Sequence, residues 1–150
     1  MRWFQSCYTV RYNVRHRKAG HLFQGRYKAV LVDAEAGGYF EAVADYIHLN
    51  PARAGLLGKR NALVSYRWSS LPWYVASARQ RPGWIEVSRV LGALGFQDRA
   101  RDRRAYGQRL EERAREGLDD EALKELRRGW VLGGGAFRER VLDWMEKKEI

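Results

Sequence analysis

Aromatic and apolar residues return every three or four positions through much of this chain, so the fold has to be assembled chiefly from amphipathic helices. Phe4, Tyr8 and Tyr12, with Trp3, Cys7 and Val14, set that spacing over residues 2–16, and Arg2, Arg11 and Arg15 take the other face. The helix opens at Met1 without a Ser, Thr, Asp or Asn cap or an earlier element, which predicts a portion missing on its N-terminal side. Tyr39, Phe40, Val43, Tyr46, Ile47 and Asn50 repeat the spacing from about 39 to 50. Pro51 is expected to stop that second helix, because a proline disfavours helical geometry in the residue before it.

Between these two helices Gly20 breaks the pattern, and Tyr27 to Val32 has the aromatic and β-branched character of a short strand ended by Asp33. A Gly55–Gly58 turn leads into an irregular aromatic segment, Tyr66 to Tyr74, expected as a turn or a single helical turn. Arg79-Gln80-Arg81-Pro82-Gly83 is polar, basic and punctuated, and marks the expected boundary between a unit at 1–78 and one at 79–150. Beyond it, helices are expected at 84–94 (closed by Gly95), at 98–116 with a solvated, nearly charge-balanced face, at 121–128 behind Asp119, and after Gly133–Gly135 with Phe137, Val141 and Trp144 in step. The expected class is α+β, mainly helical, with one short strand near 27–32.

The charge balance narrows the partners. The first 96 residues hold 14 Lys and Arg against 5 Asp and Glu, whereas residues 97–150 hold 14 against 13. One-sided basicity attracts polyanions and gains from counterion release, so nucleic acid is the leading partner class and an acidic membrane surface the weaker one. No stretch reaches the about 18 uninterrupted apolar residues of a membrane span. Met1-Arg2-Trp3-Phe4 does not read as a secretion signal, so a cytoplasmic location is expected. A lone cysteine, Cys7, excludes an internal disulfide, and with three scattered histidines it does not compose a structural zinc site.

Tyr46 and Asn50 form the spacing with most chemical content. At i and i+4 they project from one helix face a turn apart, so a phenol and a carboxamide converge on one spot. A tyrosine nucleophile needs an electrophile such as a phosphodiester and a cation to offset developing charge, and an amide oxygen can help hold that cation. The same spacing also suits a tyrosine ring packed in the core and an asparagine that turns the chain before proline.

Several runs in fixed order add to this pair. Gly20 to Ala29 (GHLFQGRYKA), Val32-Asp33, Tyr46 to Leu56 (YIHLNPARAGL) and Tyr66 to Ser70 (YRWSS) resemble the second half of the REP-associated tyrosine transposases, members of the single-tyrosine HUH class. The resemblance covers about residues 1–75, with a looser likeness at Gly129 to Arg140 to a helical C-terminal extension. It implies the remnant of a ferredoxin-like catalytic domain over 1–78 and a helical, DNA-binding extension over 79–150. It also implies binding of hairpin-forming single-stranded DNA, and metal-dependent cleavage and strand transfer through a 5′-phosphotyrosine at Tyr46. Asn50 would then contribute to a Mg²⁺ or Mn²⁺ site, and Arg26 and Lys28 would lie along the DNA path.

One element of that family is missing from the sequence. Its His-hydrophobic-His pair lies on a strand upstream of the first helix, and here His16, His21 and His48 stand singly. His21 reads as a turn residue and His48 as pointing away from the Tyr46/Asn50 face. A single amide does not hold Mg²⁺ or Mn²⁺ against hydration, so the metal site implied for Asn50 is incomplete. Three readings follow: a transposase-family protein, a non-catalytic nucleic-acid-binding module, or an inactive truncated remnant. Trp68, Trp73, Tyr74 and Trp84, interleaved with Arg67, Arg79 and Arg81, suit either base stacking or the core.

Overall fold

A computed structural model describes residues 1–25, 27–35, 38–58, 61–116 and 129–147. The expected helix at 121–128 and its cap Asp119 lie outside the described residues. The chain forms two compact units, Met1–Val30 and Leu31–Ile150. The segment 79–83, expected as a boundary, lies inside the second of these units. There the chain is stapled instead: Arg81 donates from Nε to the Trp73 carbonyl at 2.8 Å, from Nη2 to the Ala76 carbonyl at 2.9 Å, and from both terminal nitrogens to Asp98.

In the first unit, α1 spans Arg2–His16, as the spacing predicts. It ends because Arg17 turns left-handed at φ 50°, which lets Lys18 N–H reach the Asn13 carbonyl at 2.9 Å. The Asn13 side chain then donates to the Gly20 carbonyl at 2.9 Å and ties the following turn back to the helix. Tyr8 packs its ring against Tyr12 and Phe23. None of the residues of α1 is buried, and Trp3, Phe4, Tyr8, Val10 and Val14 stay exposed.

The second unit is mainly helical with one short parallel strand pair. Strand β1 covers only Leu31–Val32, and pairs in parallel with β2, Val131–Leu132. The expected strand at 27–32 is shorter because its partner offers only two residues of ladder, closed by Leu31 N–H to the Trp130 carbonyl and Asp33 N–H to the Leu132 carbonyl. Gly133 follows where a Cβ would stand 2.9 Å from Asp33 Cβ and 2.4 Å from the Phe137 ring, so this close approach needs glycine.

Helix α2 runs Tyr39–Arg53. Gly38, at φ 95°, starts it, and the Glu41 side chain accepts the Gly38 N–H at 3.1 Å. Contrary to expectation, Pro51 does not stop it. Its missing N–H falls in the last turn, and the lost donor would have served Ile47, whose residue is 54% exposed and whose carbonyl can turn to water. The turn after it closes normally, with Ala54 N–H on the Asn50 carbonyl at 2.9 Å.

Three further helices complete the packing: α3 (Leu71–Val75), α4 (Ser88–Ala93) and α5 (Ala100–Glu116). With α2 they enclose Leu49, Leu63, Leu71, Val87, Leu91, Tyr106 and Leu110. Each fully buried leucine contributes about 2 kcal/mol. The expectation that the segment 98–116 is a solvated face holds for its outer side alone, since Tyr106 and Leu110 are fully buried. The last helix, α6, spans Gly135–Lys147 and keeps Phe137, Val141 and Trp144 in step.

Candidate functional site: the two faces of helix α2

The stripe expected to face the core of α2 is displaced by about one residue. Ala44, Asp45, His48, Leu49 and Pro51 are the buried positions, whereas Tyr46 is half-buried and Ile47 and Asn50 are exposed. Two of the buried residues are polar, and both find partners across the core.

Asp45 is 2% exposed and accepts two parallel hydrogen bonds from Arg109 of α5, Nη1 to Oδ1 at 2.8 Å and Nη2 to Oδ2 at 2.6 Å. Arg113, one turn on, also donates to Oδ2. The fork of a guanidinium matches a carboxylate in this bidentate form, which fixes direction as well as distance. The hydrogen bond to Asp45 holds the Arg109 guanidinium above its usual pKa.

His48 lies one turn further along the same face. Its Nδ1 is 2.8 Å from the Tyr106 hydroxyl and its Nε2 is 2.9 Å from the Ser70 hydroxyl, so one ring nitrogen donates and the other accepts. Tyr74 meets the imidazole edge-on at 4.6 Å, and Tyr106 stands 5.9 Å away in the same sense. Burial pushes the imidazole down to about 4, against a smaller upward pull from Asp45, so His48 is neutral at ordinary pH. Burial likewise pushes the Tyr106 phenol up, which keeps its proton in place. These polar partners were not legible from the run Asp45 to Pro51 alone. The signal that could have found them is on α5, where Tyr106, Arg109, Leu110 and Arg113 keep a spacing of three and four.

The opposite stripe is Tyr46, Asn50 and Arg53, at i, i+4 and i+7. The Arg53 guanidinium lies over the Tyr46 ring, 5.0 Å from its centroid. Asn50 is exposed on the same stripe. The structure therefore does bring Tyr46 and Asn50 to one face, and it adds Arg53, which sequence reasoning passed over.

Arg26 lies outside the described residues. Lys28 is exposed and belongs to the first unit. His16 is exposed against Tyr12, and His21 is exposed beside Phe23 and Gln5. Among the aromatic residues weighed for stacking, Tyr74 packs with His48 and Tyr106 and is part of the core cluster. Trp68 and Trp84 are 76% and 81% exposed, and the Arg67 guanidinium lies 4.6 Å from the Trp68 ring. Among the described residues no group of three or more His, Cys, Asp or Glu is placed to hold a metal ion. One exposed carboxamide does not offer the set of oxygen donors that Mg²⁺ or Mn²⁺ requires, so these residues do not fit the cation.

No family model, curated protein or solved structure matches this chain.

Proposed function

We propose that this chain binds hairpin-forming single-stranded DNA through the outward stripe of α2, as a relative of the REP-associated tyrosine transposases. The observation that carries the reading is the division of α2: Asp45 and His48 fasten one face to α5 and to Ser70 just ahead of α3, and Tyr46, Asn50 and Arg53 stand together on the other. In the ancestral reaction the Tyr46 oxygen would attack phosphorus, forming a 5′-phosphotyrosine, while the O3′ leaves and takes a proton. Strand β1 ahead of α2 is the element that a ferredoxin-like remnant would retain. Basicity in the first part of the chain and the exposed Trp68 and Trp84 suit an unpaired strand, whose phosphates need cations and whose bases need flat surfaces.

A second reading, a non-catalytic binding module, is favoured by the lack of a three-ligand group among the described residues. One experiment separates the two. Incubation with a labelled hairpin oligonucleotide and Mg²⁺ or Mn²⁺ should give binding that weakens steeply with salt, and, for the catalytic reading, a covalent band lost in Tyr46→Phe. Binding without any band leaves the module, and affinity that is unchanged between low and high salt contradicts both.

A further inference from the structure

Arginines of the second unit fall into distinct environments. Arg81 and Arg103 pair with Asp98, and Arg109 and Arg113 pair with Asp45. Arg53, by contrast, has no carboxylate partner among the described residues, and its charge is met by the face of the Tyr46 ring. Arg67, Arg89 and Arg140 also lie over aromatic rings, but Arg53 has a second distinction. Its Nη1 is buried and makes no hydrogen bond to the described residues. A buried donor on a charged group left without an acceptor loses its hydration with nothing in exchange, and such atoms in native proteins generally have a partner.

We infer that the missing partner is an anion, and that Arg53 is the phosphate-binding residue of the Tyr46 stripe. A guanidinium presents its donors as a planar fork that suits two non-bridging oxygens of a phosphodiester, and unlike lysine it also stacks on a ring. Arg53 leaves the face of the Tyr46 ring to take the phosphate, exchanging a cation–π contact for charge-assisted hydrogen bonds. Its position at i+7 from Tyr46, with Asn50 between, brings that phosphate to the side of the helix that carries the phenol. This inference deepens the reading of the stripe as a DNA surface and rests on it for the identity of the ligand.

The test is titration of the full chain with a (dT)₄ oligonucleotide, followed by NMR at the Arg53 side-chain N–H and the Tyr46 ring, in the wild type, Arg53→Gln, Arg53→Lys and Arg101→Gln. Arg101 is an exposed arginine of α5 and serves as the control. Both sets of signals should move in the wild type, Arg53→Gln should weaken binding about tenfold, and Arg53→Lys should fall between, since it keeps the charge and loses the fork. Arg101→Gln should stay within about twofold. Circular dichroism of each variant separates lost folding from lost binding, and Arg53→Lys decides the matter if Arg53→Gln is unfolded. Motionless Arg53 and Tyr46 signals, or equal losses for Arg53→Gln and Arg101→Gln, would overturn the inference. Absence of a covalent Tyr46–DNA band, with the Arg53 effect intact, removes the nucleophile and leaves the anion site standing.

Discussion

The two faces of α2 differ in what their polar residues are for. On the inward face Asp45 and His48 are buried, and α5 and Ser70 satisfy their hydrogen bonds, so polarity there serves to set the helix in one position. On the outward face Tyr46, Asn50 and Arg53 lack such partners among the described residues, and no comparable network holds them. Residues adjacent in sequence thus divide between fold and surface. The lesson is that, in this run, the polar residues most deeply tied into the structure are not the ones offered to a ligand.

The sharpest way to break this contrast is to cut the ion pair. Asp45→Asn removes the charge that two arginines address, and takes from the partly buried Arg109 guanidinium its bidentate carboxylate. It should lower stability by about 3 kcal/mol, read from urea unfolding, since breaking a buried pair at one partner costs far more than losing a surface bridge. A loss below about 1 kcal/mol would show that the inward face is not anchored there.

Next in size is the pH dependence from His48. Its folded pKa of about 4 lies below the ordinary 6.5. The neutral ring therefore contributes stability that is fully present above 6.5 and is lost as the pH falls through the window down to about 4, where the unfolded chain has taken a proton and the folded one has not. The contribution is up to about 3 kcal/mol, and His48→Gln should flatten that part of a stability-versus-pH curve. An unchanged slope would place the titrating group elsewhere.

Smaller effects sharpen the outward side. Trp68→Ala and Trp84→Ala should each cost about 1 kcal/mol or more of affinity for an unpaired oligonucleotide if the rings stack on bases, measured by fluorescence anisotropy, with little change in melting temperature. Smallest of all, Tyr46→Phe and Asn50→Ala should alter folding stability by no more than about 0.5 kcal/mol, as surface substitutions do. A large loss in either would move that residue to the anchoring side.

The helical periods were readable because they depend on local spacing alone. That is why α1 and α6 fall where the pattern put them, and why Gly95, at φ 75°, follows the end of α4, although that helix begins at Ser88 and not at the expected Trp84. The start of α2 at Tyr39 was equally local. The inward stripe was not legible, because a hydrophobic pattern ranks Asp45 and His48 as surface, and only Arg109, Arg113, Tyr106 and Ser70, between 22 and 68 residues away, make their burial favourable. Pro51 misled for a related reason. Its effect on a helix depends on which carbonyl loses its donor, and here that carbonyl belongs to an exposed residue. The short β1 reflects a partner strand a hundred residues later, which no window around 27–32 contains. Of the site, Tyr46 and Asn50 were visible as a pair at i and i+4, and Arg53 was missed because its distinction is a buried donor without an acceptor.

Photocrosslinking tests the division of α2 most directly. A hairpin oligonucleotide carrying 4-thiothymidine in its unpaired strand, irradiated with the full chain and mapped by peptide mass spectrometry, should attach within the segment 46–53 at the outward residues Tyr46, Asn50 or Arg53. Crosslinks confined to residues outside α2, with none in that segment, would contradict the assignment of this face to the DNA.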